Sequence, residues 1–216
     1  MTGVGAASPG PELEPAVAAE LFGDHIGAAR SFTAELVSRG EELGLIGPLE
    51  PARIWTRHIL NCALLAPLLR EGLVGDVGSG AGLPGLVLAI ARPDVEFVLI
   101  EPMERRVEWL SSEVERLGLS NTTVVRARAE DARLSRPLDQ VTARAVSALG
   151  KLIPITAPLV RSGGELIFMK GARVEEELAG ARKAMRAAHL SGVEIIVLGE
   201  GIVPEATRVF RATVGL

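Results

Sequence analysis

Residues 76–85 read Asp76-Val77-Gly78-Ser79-Gly80-Ala81-Gly82-Leu83-Pro84-Gly85, and four of the last eight are glycine. Glycine allows positive φ angles and lets the backbone approach a ligand closely. The apolar run before this loop, 73–77, predicts a buried strand, and a helix is predicted over 84–91 with Pro84 at its start. Because open α/β sheets bind ligands where strands end, the loop is predicted to bind a ligand.

Strands and helices alternate along the rest of the body. The apolar pattern predicts further strands over 95–100, 123–127, 139–145, 165–170, 192–198 and 207–214. Helices are predicted over 103–117, 149–160 and 174–188. This order predicts an α/β fold with a mainly parallel sheet covered on both faces. The last two strands have no helix between them, which predicts an antiparallel strand or hairpin at one edge.

The front of the chain is predicted to be helical. Apolar residues recur at helical spacing over 14–42, with a break expected near Gly23, and a second helix is predicted over 52–69. Residues 1–15 are interpreted as a disordered leader. The predicted division is therefore leader 1–15, helical cap 16–70 and one globular body 71–216.

Composition restricts the functional classes. Cys62 is the only cysteine and the 3 histidines are scattered, so neither a disulfide nor a metal site is expected. A formal net charge of −4 argues mildly against non-specific coating of nucleic acid. No membrane-length apolar run or signal peptide is visible, and a cytoplasmic, monomeric protein is expected.

The kind of nucleotide is a separate question. Residues 80–85 also fit the G-x-G-x-x-G pattern of dinucleotide-binding proteins. Asp76 would instead repel a pyrophosphate and attract the ammonium group of a methionine moiety. Glu101 ends the next predicted strand, where it could accept hydrogen bonds from both ribose hydroxyls, and Ala129-Glu130 follows the third. These residues favour S-adenosylmethionine over a nicotinamide dinucleotide.

Several segments together resemble one known family, the bacterial small-subunit ribosomal RNA guanine-N7 methyltransferases, also called glucose-inhibited division protein B. The glycine loop with its Leu-Pro-Gly ending is the most specific of them, and the resemblance runs from about Ile54 to the end. The segments are Arg57-His58-Ile59-Leu60, the 76–85 loop, Arg105-Arg106-Val107, Ala129-Glu130, Ala143-Arg144-Ala145 and Lys170-Gly171.

The resemblance implies a seven-stranded, mostly parallel class I (Rossmann-like) S-adenosylmethionine-dependent methyltransferase fold with a helical N-terminal cap. It also implies N7-methylation of a specific guanine in small-subunit (16S) ribosomal RNA, within the small ribosomal subunit. Matching positions imply cofactor contacts from Gly78, Leu83, Ala129, Glu130 and Arg144, with Glu101 on the ribose. With the loop residues, the predicted cofactor-binding set is Asp76, Gly78, Gly80, Gly82, Leu83, Glu101, Ala129, Glu130 and Arg144.

The chemistry implied needs few groups. Guanine N7 carries a lone pair and no proton, so no general base and no catalytic residue are expected, and the rate depends on positioning. Arg57, His58, Arg144 and Lys170 are the predicted substrate-binding residues, for contacts to phosphate or base. Arg105 and Arg106 are interpreted as solvated charges in preference to a nucleic-acid patch.

Three alternatives stay open at this point. A methyltransferase acting on a small molecule or protein would share the fold, since a fold does not determine a substrate. A nicotinamide-dependent oxidoreductase would explain the G-x-G-x-x-G match but needs a substrate domain that 216 residues barely allow. A non-catalytic module would be expected to have lost the glycine loop or Glu101, and both are present.

Overall fold

The computed structural model describes residues 10–215 and contains one seven-stranded sheet in the order β3-β2-β1-β4-β5-β7-β6. The strands are β1 (Leu73–Val77), β2 (Glu96–Glu101), β3 (Thr122–Arg126), β4 (Leu138–Arg144), β5 (Val160–Lys170), β6 (Ser191–Leu198) and β7 (Thr207–Thr213). Strands β1 to β5 pair in parallel, whereas β7 is antiparallel to both β5 and β6. The predicted antiparallel hairpin at one sheet edge is confirmed. It consists of β6 and β7, and β7 lies between β5 and the edge strand β6.

Helices cover both faces of the sheet, as predicted. They are α1 (Val17–Phe22), α2 (Ile26–Arg39), α3 (Asn61–Ala63), α4 (Gly85–Ala91), α5 (Glu104–Leu117), α6 (Leu149–Thr156) and α7 (Val174–Ala187). One apolar core includes residues of α1, α2, α4 and α5, and the other includes residues of α6 and α7. All five residues of β1 are buried because both of its faces are covered.

Strand order reverses direction between β1 and β4. From β1 the chain first adds β2 and β3 on one side, and then crosses back to place β4 on the other. The carboxyl ends of strands on either side of such a switch point diverge and leave a crevice. The glycine loop after β1, Glu101 at the end of β2 and Arg144 at the end of β4 therefore meet at one edge of the sheet.

The helical front differs from prediction in detail. The break near Gly23 is confirmed, since a 3₁₀ turn from Gly23–His25 separates α1 from α2 and Gly23 has a φ of 50°. The prediction of a single helix over 52–69 is wrong. This part of the chain instead forms a 3₁₀ turn (Pro51–Arg53), a π-helical segment (Ile54–Leu60), α3 and another 3₁₀ turn (Ala66–Leu68). Pro67 accounts for the early end, because proline lacks the N–H and crowds the preceding turn.

The predicted disordered leader is only partly within the described residues. Residues 1–9 lie outside them, but Glu12 and Glu14 contact the cap. The Glu12 carboxylate accepts hydrogen bonds from the Thr56 N–H at 3.0 Å and the Thr56 hydroxyl at 2.8 Å. Glu14 forms an ion pair with Arg30 at 2.6 Å. Glu12 and Glu14 thus have specific partners on the cap, which the interpretation of residues 1–15 as a disordered leader did not include. Along residues 10–215, no helix combines the length and apolarity needed to cross a membrane.

Candidate active site

The glycine loop adopts a backbone that larger residues resist. Gly78 and Gly82 have φ angles of 71° and 91°, in the region that favours glycine. A Cβ at Gly82 would lie 2.4 Å from a Leu86 methyl, and one at Gly78 would lie 2.8 Å from a Val146 methyl. The loop therefore passes close to both α4 and the chain after β4, with no room for larger side chains at these two positions.

Asp76 lies beneath the loop and supports it. The side chain is 0% exposed, and its carboxylate accepts hydrogen bonds from the Thr142 hydroxyl and the Gly85 N–H, each at 3.1 Å. Burial raises the pKa of Asp76 to about 6, although these hydrogen bonds oppose the shift. The structure therefore does not bring Asp76 to the place where sequence reasoning expected it to attract an ammonium group. A carboxylate two residues before a glycine loop can point under the loop as easily as into it.

A cavity of about 520 Å³ lies above the loop and is called here the glycine-loop pocket. Its volume is within the range of small-molecule sites. Five of the predicted cofactor-binding residues line it, namely Gly78, Gly80, Leu83, Glu101 and Arg144. Asp76, Gly82, Ala129 and Glu130 are not in the lining. The last two lie in a 3₁₀ turn after β3, where Ala129 is buried and Glu130 is exposed.

Glu101 is fixed in place at the pocket wall. It is 2% exposed, and its two carboxylate oxygens accept hydrogen bonds from the Gly80 N–H at 2.9 Å and the Met103 N–H at 3.0 Å. A carboxylate offers about four acceptor positions, so each oxygen retains capacity for a further donor. Glu101 thus presents a rigid pair of acceptors to the pocket, which suits a pair of neighbouring hydroxyls.

Arg106 belongs to the pocket, contrary to its interpretation as a solvated charge. It lines the glycine-loop pocket from the first turn of α5, and its Nε is buried without a hydrogen-bond partner among residues 10–215. Buried donors are rarely left unpaired, so this nitrogen marks a position where a ligand acceptor would be stabilised. The Arg-Arg pair in the sequence carried no signal to distinguish which arginine turns inward.

A second and larger cavity, of about 1120 Å³, adjoins the first and is called here the outer cleft. All four predicted substrate-binding residues line it, namely Arg57, His58, Arg144 and Lys170. The structure therefore brings together residues that lie more than a hundred positions apart in the chain. Four residues line both cavities and form their shared wall: His58, Arg144, Ala145 and Val146.

Hydrogen bonds connect His58 to both sides of this wall. Arg144 donates from Nη2 to His58 Nδ1 at 2.7 Å, and His58 Nε2 lies 2.5 Å from a Glu50 carboxylate oxygen. Arginine has no acceptor, so Nδ1 must be unprotonated and the ring proton lies on Nε2. Burial and the neighbouring Arg144 charge lower the pKa of His58 to about 4, which keeps the ring neutral at physiological pH.

Lys170 has partners of its own. Its ammonium lies 2.7 Å from the Glu177 carboxylate and donates a 2.9 Å hydrogen bond to the Ser147 carbonyl, and the side chain is 9% exposed. The same Glu177 oxygen accepts a hydrogen bond from the Leu149 N–H at 2.9 Å. Lys170 thus fastens the segment between β4 and α6 rather than projecting freely into the cleft. Arg57 is also paired, with Glu205 at 2.8 Å.

The fastened segment forms part of the shared wall. Ala145 has a φ of 55°, which is unfavourable for a residue with a Cβ, and Val146 is 39% exposed toward the cavities. Strained backbone of this kind persists where its surroundings hold it and is common at functional sites. Glu50 and Val146 are site residues that sequence reasoning missed, because neither belongs to a recognisable local motif, whereas Arg106 lies in a segment of the resemblance but was assigned to solvent.

Fold and site together define a class. A seven-stranded sheet with an antiparallel β7, a glycine loop after β1 and an acidic residue ending β2 is the arrangement of class I methyltransferases. A methyltransferase from Pyrococcus furiosus has the same fold, with a TM-score of 0.58 and 16% identity over 73% of this chain and 83% of that chain.

The family follows from sequence comparison. The family model described as rRNA small subunit methyltransferase G matches residues 25–203. Ribosomal RNA small subunit methyltransferase G of Leifsonia xyli is 68% identical over 94% of this chain and 97% of its own length. The protein of the same name from Clavibacter michiganensis is 66% identical over 94% and 96%. The chain belongs to this family, as its resemblance predicts.

Proposed function

We propose that this protein transfers the methyl group of S-adenosylmethionine to N7 of a specific guanine in small-subunit ribosomal RNA. The observation that carries the proposal is the shared wall, since His58, Arg144, Ala145 and Val146 each line both cavities. Methyl transfer requires donor and acceptor sites that open onto each other. The family membership of the chain supports the donor and the RNA substrate.

The residues of the glycine-loop pocket fit S-adenosylmethionine. The nucleoside would be held by Glu101, whose fixed oxygens can each accept one ribose hydroxyl. The buried Arg106 Nε needs an acceptor, and the cofactor carries a carboxylate as well as hydroxyls. When bound, S-adenosylmethionine supplies a methyl group on a sulfonium, which is already activated for transfer.

The outer cleft would receive the nucleotide that is methylated. Arg57 and Arg144 line it with positive charge suited to phosphate or to the O6 of a guanine, which leaves the N7 lone pair free to attack the methyl group. The acidic residues Glu176, Glu177 and Glu205 also line it, and Glu205 is paired with Arg57 and Glu177 with Lys170. This balance favours recognition of one shaped RNA site over general attraction to nucleic acid.

The reaction requires the protein to position guanine N7 against the methyl group, and it requires no proton transfer. Guanine N7 has a lone pair and no proton, so the protein needs no general base for the attack. What the chain contributes is alignment of N7 with the methyl group across the shared wall, an effect that can account for several kcal/mol of the barrier. The neutral His58 suits this role, because it holds Arg144 without adding another positive charge beside a base that becomes cationic.

Two measurements test the proposal. Isothermal titration with S-adenosylmethionine should show micromolar-range binding, and RNA from small subunits treated with the enzyme should contain a new N7-methylguanine. Naked RNA and assembled subunits should be compared side by side, since the proposal favours the assembled particle. Binding without RNA methylation would redirect attention to a small-molecule or protein acceptor. Binding of a nicotinamide dinucleotide in place of S-adenosylmethionine would contradict the proposal.

A further inference from the structure

Glu50 is the one carboxylate that contacts the outer ring nitrogen of His58 among the residues the structure describes. It lies directly before the 3₁₀ turn Pro51–Arg53 of the cap and lines the edge of the glycine-loop pocket. Its second oxygen is held by Arg53 at 2.6 Å. The carboxylate therefore has a fixed direction, and that direction points one oxygen at His58 Nε2.

The chain Glu50–His58–Arg144 has only one consistent set of donors. Glu50 is an acceptor when ionised and Arg144 is always a donor, so the neutral His58 between them must carry its proton on Nε2. In the other tautomer, an Nδ1–H would face the Arg144 N–H at a distance of 2.7 Å. Arg144 and Glu50 both require this tautomer, and Glu50 holds the ring in the orientation that keeps Nδ1 available to Arg144.

The position of Arg144 matters because it lies in the shared wall at the end of β4. One of its terminal nitrogens is committed to His58, and the other approaches the Cys62 sulfur at 3.8 Å. If His58 turned, the guanidinium would lose this acceptor and would have to move, and the shared wall between the two cavities would change shape with it. The π-helical segment that carries His58 places the ring between the cap and the sheet.

We infer that Glu50 is a positioning residue for methyl transfer. It acts through His58 to hold Arg144 in the wall shared by the glycine-loop pocket and the outer cleft. The expected effect on turnover rests on the proposed function, whereas the role of Glu50 in orienting His58 does not. Replacement of Glu50 should reduce turnover while leaving affinity for S-adenosylmethionine nearly unchanged.

The test compares Glu50→Ala, Glu50→Gln and Glu35→Ala. Glu35 provides the matched control because it makes an exposed ion pair with Arg39 on α2, away from both cavities. We expect Glu50→Ala to lower kcat on small subunits by about 10- to 100-fold, with less than about a threefold change in the Kd of S-adenosylmethionine. Glu50→Gln should restore most of the rate, because its carbonyl oxygen still accepts from Nε2–H. Glu35→Ala should behave as wild type.

A spectroscopic measurement separates this inference from the proposed function. The chain has 3 histidines, so ¹⁵N-labelled histidine gives a spectrum in which a His58→Gln variant identifies the His58 signals. Wild type and Glu50→Gln should show an Nε2–H proton that is hydrogen-bonded and protected from exchange with water, and Glu50→Ala should lose this protected proton. This readout needs no RNA. If wild type fails to methylate RNA but the Nε2–H proton responds as expected, the proposed function fails and the structural role of Glu50 stands.

Two results would overturn the inference. The first is an Nε2–H proton of His58 that stays protected in folded Glu50→Ala. The second is a loss in Glu50→Ala that appears mainly as a weaker Kd for S-adenosylmethionine, which would make Glu50 a direct cofactor ligand at the edge of its pocket. A failure of Glu50→Gln to recover turnover while its Nε2–H proton stays protected would also count against it, since charge and not orientation would then be required.

Discussion

The Lys170 ammonium lies 2.7 Å from the Glu177 carboxylate, and this ion pair connects the end of β5 to the first turn of α7. Both partners also hold the segment that follows β4, Lys170 through the Ser147 carbonyl and Glu177 through the Leu149 N–H. The end of β5, the start of α7 and the segment after β4 are thereby fixed relative to one another. Val146, which lines both cavities, is carried by this segment.

Replacement of Lys170 by alanine should therefore impair catalysis more than cofactor binding. The Ser147 carbonyl would lose its donor and the segment carrying Val146 would move. We expect kcat on RNA to fall about tenfold, with less than about a threefold change in the Kd of S-adenosylmethionine. Lys151→Ala is the control, since Lys151 is an exposed lysine on α6. Equal turnover of the two variants would show that the ion pair is dispensable.

Gly80→Asp should abolish binding of S-adenosylmethionine in a protein that still folds. Gly80 has a φ of 55°, and a Cβ there would come no closer than 3.7 Å to the Gly78 carbonyl, so the new side chain fits but projects into the pocket region. Gly118→Asp provides the control, because Gly118 has a φ of 65° with nothing within 4 Å and lies at the end of α5.

Both glycine variants should lose about 1 kcal/mol of stability from the left-handed backbone. Only Gly80→Asp should lose cofactor affinity, measured by isothermal titration, with thermal unfolding as the check on folding. Wild-type affinity in folded Gly80→Asp would place the cofactor elsewhere.

Asp76 should make the protein less stable as pH rises. Its pKa in the folded state is raised to about 6, above the ordinary value of 3.8, so folding opposes its ionisation. The penalty is absent below the unfolded pKa and grows as pH rises from 3.8 to 6. Relative to Asp76→Asn, wild type should lose about 2 kcal/mol of unfolding free energy between pH 4 and pH 7. Urea unfolding of both proteins across this range gives the difference; a flat difference would contradict the burial argument.

His58 should make the protein less stable as pH falls. Its pKa in the folded state is lowered from 6.5 to about 4, so the unfolded chain binds a proton that the folded protein rejects. The stability that it contributes is present above pH 6.5 and is lost as pH falls toward 4. Relative to His58→Gln, wild type should lose about 2 kcal/mol between pH 7 and pH 4.5. A constant difference over that interval would indicate that His58 is protonated or exposed in the folded state.

Local sequence patterns were sufficient for the sheet and its glycine loop. The strand over 73–77 was predicted with the bounds that β1 has, and α4 and α5 begin within one residue of their predicted starts. The reason is that apolar periodicity, Gly118 as a left-handed helix end and glycines after a strand act over a few residues. The cap was predicted less well, because Pro67 and the π-helical segment interrupt a pattern that periodicity alone reads as one helix.

The site shows the same division between local and long-range causes. The sequence predicts Glu101 and the glycine loop as site residues because they follow predicted strands. It also indicates that the basic residues Arg57, His58, Arg144 and Lys170 lie near the sheet edge. Whether Asp76 points under the loop or into the pocket, and whether Lys170 is free or paired with Glu177, depends on residues distant in sequence. Hydrogen-bond partners of buried side chains are chosen by tertiary packing, because the cost of leaving a buried polar group unpaired is paid only once the chain has folded around it.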